Sequence, residues 1–211
     1  MKKLVIYISV LVILICSLCG HAYIDNVKNN DLIDSISNKI IRFHVLANSN
    51  SNEDQQLKIK VKDKIIEYIF PKLENSNSLE ESREILANNE DEIIKIANEC
   101  INENGYNYSV KIEFKRENFP EKVYGNISLP QGEYEAFRVL IGEASGENWW
   151  CVMFPPICFV DVTKGQVSYD ETEESMKEVL TDEEFEKIRN DVIVDETKNV
   201  KFSLKIFDLF K

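Results

Sequence analysis

Residues 130–154 read PQGEYEAFRVLIGEASGENWWCVMF, and the way this stretch folds decides the architecture of the chain. Pro130-Gln131-Gly132-Glu133 is a turn signature that leads into YEAFRVLI at residues 134–141, a β-rich run. The polar loop GEASGEN, with two glycines, separates it from WWCVMF at residues 149–154. Two β-rich runs on either side of a short polar loop predict an antiparallel hairpin.

Working outward, residues 108–114 alternate, with Tyr108, Val110, Ile112 and Phe114 on one side and Ser109, Lys111 and Glu113 on the other. Residues 40–47 (IIRFHVLA) are long enough for one buried strand. Between these two strands lie two helical segments. The first starts at Asn52, which is placed to cap free amides while Gln55 reaches back, and Glu53 and Asp54 sit at the positive end of the dipole. Residues 57–62 alternate like a strand, yet Leu57, Val61, Ile65 and Ile69 fall at helical spacing, and the cap decides for a helix to about residue 70. Pro71 then ends or bends it. The second starts at the capping box Ser78–Glu81 and runs to Gly105, with Asn88-Asn89 weakening its middle.

Residues 119–129 read as irregular, broken by Pro120 and Gly125. Residues 168–189 read as one or two helices, with a further capping box at Thr181–Glu184. Residues 200–206 alternate as a last strand, although 206–210 fit a short helix equally well. No repeat or low-complexity tract is present. The fold class expected is α+β, a predominantly antiparallel sheet with helices packed on one face.

The chain has 211 residues, 25 basic against 37 acidic, a net charge of −12, and 44% hydrophobic residues. That is a globular composition with ample length for one core. Phosphate recognition needs a basic face, so a nucleic-acid partner is excluded. The acid is unevenly placed. Lys2 and Lys3 precede sixteen residues, 4–19, interrupted only by Ser9 and Ser17, and no acid occurs before Asp25. A basic start and an apolar run ending in small residues is the secretory signal pattern. Sixteen is short for a span, which needs about 20 residues. Gly20-His21-Ala22 supplies small residues where a signal peptidase reads, which places the cut between Ala22 and Tyr23; an uncleaved anchor is the other reading. Residues 1–22 are thus a signal peptide and 23–211 a single secreted domain with an acidic C-terminal helical extension. Cleavage leaves 23 basic residues against 37 acids, a charge of −14, and the only membrane contact expected is through the export signal.

Export leaves Cys100, Cys151 and Cys158. Cys151 and Cys158 flank a segment that Pro155-Pro156 must bend, which fits a local disulfide and fits two buried thiols equally. Cys100, beside Ala97 and Ile101 in a helical pattern, reads as a packed thiol. His44 is the one histidine left, so a multi-histidine metal site is excluded, and the HExxH, GxSxG, Walker and GxGxxG motifs are absent. No cofactor is expected. His44 beside a cysteine would make a nucleophile–base pair, but no other residue points to acyl chemistry, and a hydrogen-bonded strand histidine is the simpler reading.

Residues 148–159 (NWWCVMFPPICF) carry both tryptophans, Trp149 and Trp150. Adjacent strand residues point to opposite faces, so one indole enters the core and the other looks outward. A core strand explains one tryptophan; a binding surface, where tryptophan is a common anchor, explains the second.

Several blocks resemble the stage II sporulation protein R family. They are IRFHVLANS at residues 41–49 with Glu53-Asp54-Gln55 and Leu57-Lys58, then LPQGEYEAFRV at 129–139 with Ile141-Gly142. GENWWCV at 146–152 follows, through Phe154-Pro155-Pro156 and Cys158-Phe159, and Phe119-Pro120 and Tyr124-Gly125 fit between. The likeness weakens after Asp161, and Phe137 stands where a smaller aliphatic residue is expected. The resemblance implies a signalling protein made in the forespore and secreted into the space between forespore and mother-cell membranes. There it would activate a membrane-embedded aspartic protease of the mother cell, which cleaves the sigma-E precursor, with no enzymatic role of its own. The partner contact expected is the exposed one of Trp149 and Trp150, with Phe154, Pro155, Pro156 and Phe159, and with His44 and Asn48 lining the same edge. The competing readings are an exported hydrolase using His44 with a thiol and a structural module of the spore envelope.

Overall fold

The structure, a computed structural model, describes residues 30–157 and 166–190, the side chains of 166–169 excepted. A helix through residues 30–37 (α1) leads to β1 (Ile41–Leu46), then α2 (Asn52–Leu73), α3 (Leu79–Asn88) and α4 (Glu90–Glu103). Strands β2 (Val110–Phe119), β3 (Lys122–Tyr124), β4 (Ile127–Leu129), β5 (Gly132–Ile141) and β6 (Asn148–Phe154) follow, and α5 (Gln166–Val179) and α6 (Asp182–Ile188) close the described chain. Four strands form one sheet in the order β2-β5-β1-β6, and β3 and β4 pair separately. β2 with β5 and β1 with β6 are antiparallel, while β1 and β5 are parallel. The fold is α+β with a mostly antiparallel sheet, as expected.

The hairpin reading is corrected. β5 and β6 do not pair with each other, because β1 lies between them, with Phe43 opposite Phe137 on one side and Cys151 on the other. Smaller corrections follow from local chemistry. Ser51, not Asn52, caps α2, its side chain accepting from the Asp54 amide, and Pro71 lies inside the helix, which continues to Leu73. The segment read as one helix from Ser78 to Gly105 breaks at Asn89, whose side-chain amide donates to the Ile85 carbonyl and whose Oδ1 accepts from the Tyr68 hydroxyl. The strand read at 108–114 begins at Val110 and runs on to Phe119, which joins the core on the opposite face of the sheet from Ile112, and the tract read as irregular holds the β3–β4 pair. The Thr181 capping box forms as read. Residues 200–206 lie outside the described residues.

Alternation along each strand divides the core in two. Ile41, Phe43 and Val45 of β1 and Phe137, Val139 and Ile141 of β5 face Leu57, Val61, Ile65 and Ile69 of α2 and Ile93, Ala97 and Ile101 of α4. The α2 stripe repeats at four-residue spacing and therefore stays on one side of the helix. The opposite sheet face carries a second core, in which Phe119, Tyr134, Ala136 and Val152 meet Ile127 and Leu129 of β4 and Met176, Phe185 and Ile188 of α5 and α6. So α2, α3 and α4 cover one face, and the β3–β4 pair with α1, α5 and α6 covers part of the other.

Candidate functional site

Among the described residues β6 is an outer strand of the sheet, and its register fixes where the two tryptophans go. Trp149 lies opposite Val45 and faces the helices; Trp150 lies opposite His44 and faces away from them. The Trp149 ring meets Phe43 edge-on at 5.7 Å, with the Lys62 ammonium 4.8 Å from its centroid. Trp150 stacks on His44 at 4.8 Å, meets Phe119 edge-on at 4.8 Å, and has the Lys122 ammonium 5.7 Å away. Opposite faces were expected; one buried and one outward indole were not found. Both rings are half-buried, each resting on a core and roofed by a lysine.

Trp150 ends a row of side chains across the second face: Glu113, Arg138, His44 and Trp150, from β2, β5, β1 and β6. The Arg138 Nε lies 2.7 Å from both His44 Nε2 and Glu117 Oε2, and its Nη1 donates to Glu113 at 2.5 Å. His44 is 0% exposed. Burial first, then the charges of Arg138, Arg42 and Lys115, push its pKa down to about 3, against the field of Glu113. Hydrogen bonds from Lys111 and Lys115, with the Arg138 charge, hold the Glu113 carboxyl at about 2. His44 is therefore neutral, its Nε2 lone pair taken by Arg138 and its Nδ1 without a partner among the described residues.

Beside His44, Arg42 is fully buried among aromatic rings, with its guanidinium carbon 4.6 Å from Phe119, 4.8 Å from Tyr134 and 5.7 Å from Tyr124. It donates to the Tyr124 hydroxyl at 3.2 Å, while among the described residues Nε and Nη1 find no acceptor. The ring faces take the place of a carboxylate partner, and burial still lowers the Arg42 pKa. Neither Arg42 nor the Arg138 cluster was singled out from the sequence. The signal was there in residues 41–45, where Arg42 and His44 alternate with Ile41, Phe43 and Val45, a strand with one polar and one apolar face.

Cys151 is buried on the helix-facing side of β6, level with Phe43, and Cys100 is a buried free thiol of the helix-side core. The sheet thus separates both from His44, whose acceptor nitrogen is already occupied, so neither can be the thiol of a His44-based pair. Among the described residues no group of His, Cys, Asp or Glu side chains is arranged to hold a metal ion, and no helix is long and apolar enough to cross a membrane.

The remaining candidates are spread along β6 and its flanks. Phe154 is buried in the helix-side core, the Phe154–Pro155 peptide is cis, Pro155 is buried and Pro156 half-buried. Asn48 lies at the other end, beyond the pairing of Leu46 with Asn148. It acts as a clamp: its Nδ2 donates to Asp54 at 2.8 Å, its Oδ1 accepts from the Glu143 amide at 3.0 Å, and its carbonyl accepts from Ser145. His44 and Trp150 are thus in contact, whereas Asn48 and the proline turn stand at opposite ends of the strand. Phe159, Cys158, Ala22 and Tyr23 lie outside the described residues.

A family model described as stage II sporulation protein R (spore_II_R) matches residues 37–164, a span that includes all six strands of the described residues. The stage II sporulation protein R of Bacillus subtilis (strain 168) is 34% identical over 221 residues, covering 99% of each chain. No solved structure matches. The blocks that carry the likeness are those that build the sheet, its Asn48 clamp and the paired tryptophans, and the chain belongs to the stage II sporulation protein R family.

Proposed function

We propose that this sporulation protein is a secreted signal: it leaves the forespore through residues 1–22, enters the space between the two membranes, and activates a membrane-embedded aspartic protease of the mother cell. The protease then processes the sigma-E precursor. Membership of the family carries the reading. The geometry is compatible with it, since β6 offers two half-exposed indoles on a strand fixed by a packed sheet. Tryptophan held in this way is the residue type that most often anchors an interface. The hydrolase reading loses support, because His44 is separated from Cys100 and Cys151.

An activator acts by binding the active state of its target better than the inactive one. Moving a balance from 1:99 to 99:1 takes about 5.5 kcal/mol of differential affinity, within reach of one tryptophan hot spot and a few neighbours. The same proposal includes a Cys151–Cys158 disulfide, whose second cysteine lies outside the described residues; Cys100 is the one free thiol among the described residues.

Reconstitution in a non-sporulating host tests the function. The protease and the sigma precursor are co-expressed with this chain, with the chain lacking residues 1–22, and without it. Cleavage is expected only with the complete chain. Cleavage that proceeds without the chain, or without its export signal, overturns the reading.

A further inference from the structure

Where β6 ends, the proline turn and the α2–α3 connection form one wall of an open cleft of about 660 Å3, and α5 forms the other. Phe154, Pro155, Pro156 and Val179 give it an apolar floor. Its rim is acidic, with Glu74 on one side and Glu171, Glu174 and Glu178 on the other. The three α5 residues are spaced i, i+3 and i+7, which sets them along one face of the helix. All four carboxylates are exposed, and among the described residues none is ion-paired or hydrogen-bonded, whereas Glu173 one position away is held by Lys177 at 2.9 Å. Like charges at this spacing repel, so the cleft favours any occupant that brings positive charge.

The carboxylates are strung along a helix rather than converged, and no metal-holding group occurs among the described residues, so a bound ion is not the fit. Nucleic acid and an anionic membrane surface are repelled. We propose that this cleft is the docking site for a basic, partly apolar peptide segment of a partner protein. Lysine or arginine side chains meet the glutamate rim, and an apolar side chain rests on the floor of Phe154, Pro155, Pro156 and Val179. The site concerns the chain's own surface and does not depend on the protease reading, since peptide binding and precursor cleavage are measured apart.

The test is binding of a short fluorescent peptide of alternating lysine and leucine to the exported protein, by anisotropy at low and moderate salt. Saturable binding that weakens with salt is expected. The combined variant E171Q, E174Q and E178Q is expected to lose about ten-fold in affinity and most of the salt dependence. A charge-matched control, E84Q, D91N and E99Q on α3 and α4, is expected to bind as the unmodified protein does. Equal losses in both triple variants reduce the effect to net charge and overturn the site, as does the absence of binding to the unmodified protein. E174K against D91K repeats the comparison with single substitutions if a triple variant does not fold. An oligolysine peptide without leucine is expected to bind more weakly; equal affinity removes the apolar floor from the proposal.

Discussion

His44 is the residue whose setting most directly governs a measurable property. It is held neutral in the fold, with a pKa near 3 against 6.5 for the free side chain. The groups that face it are Arg138 and Glu117 at its Nε2, the nearby charges of Arg42, Lys115 and Glu113, and the rings of Trp150 and Phe119. The unfolded chain takes up a proton below pH 6.5 that the folded chain refuses, so stability is complete above that pH and is lost as pH falls toward 3. The slope is at most about 1.4 kcal/mol per pH unit. Glu113 and Glu184, with pKa values about 2, add losses of the same sign only below their ordinary value of 4.5. Between pH 7.5 and 5 the effect therefore belongs to His44, and denaturant titrations of the protein are expected to show a loss on the order of 2 kcal/mol. His44→Gln keeps an acceptor for Arg138 and does not titrate, so its stability is expected to stay flat over that range. A flat profile for the unmodified chain would show that His44 is not buried neutral.

At the scale of elements, the connection at residues 142–147 explains both the misread hairpin and a local vulnerability. β5 and β6 are two strand spacings apart, about 10 Å, and six residues reach roughly 20 Å when extended, so the loop spans β1 with ease. Nothing in its composition distinguishes that crossing from a hairpin turn. The strand that lies between comes from residues 41–46, far earlier in the chain, and non-local insertion leaves no mark on local periodicity. What periodicity does record was legible: β1, β2 and the α2 stripe, and with them the Thr181 capping box, whereas the cap of α2 falls on Ser51 rather than Asn52, and Ser78 caps α3 without a return bond from Glu81. The loop is fastened where it crosses, its Gly146 amide donating to the Ala47 carbonyl at 3.0 Å and the Glu147 amide to Asn50 Oδ1 at 2.7 Å. A Cβ on Gly146 would lie 2.2 Å from the Ser49 carbonyl oxygen and 3.0 Å from Ala47 Cβ. The turn and the loop would have to separate. Gly146→Ala is expected to cost on the order of 2–3 kcal/mol in denaturant unfolding. Gly105→Ala, where the added Cβ meets nothing within 4 Å but φ is +82°, is expected to cost about 1 kcal/mol. The reverse ranking would show that the loop is not clamped over β1.

For the whole molecule, the two-sided sheet decides which layer each tryptophan faces. Trp149 faces the helix layer, with Lys62 of α2 above it, so its removal acts first on the packing around Phe43. Trp150 faces the layer that the short β3–β4 pair only partly covers, where Lys122 stands over the ring and the neighbouring Val123 is 57% exposed. This surface was half legible: the paired indoles and their opposite directions follow from strand geometry, but the buried Arg42–His44–Arg138 layer behind Trp150 needs β1 and β5, two strands from distant parts of the chain, to pair. The layer matters because it holds the indole at a fixed height, with His44 stacked beneath and Phe119 against its edge. In the reconstituted system, Trp150→Ala is expected to lower precursor cleavage about ten-fold or more, and Trp149→Ala by less, at matched levels of secreted, folded protein. Trp150→Phe separates contact from support, since phenylalanine still packs on His44 and Phe119 but presents a smaller outer surface; it is expected to fold normally and cleave at an intermediate rate. If both alanine variants are folded, secreted and fully active, the partner does not dock on this strand, and the tryptophans serve only to close the two cores.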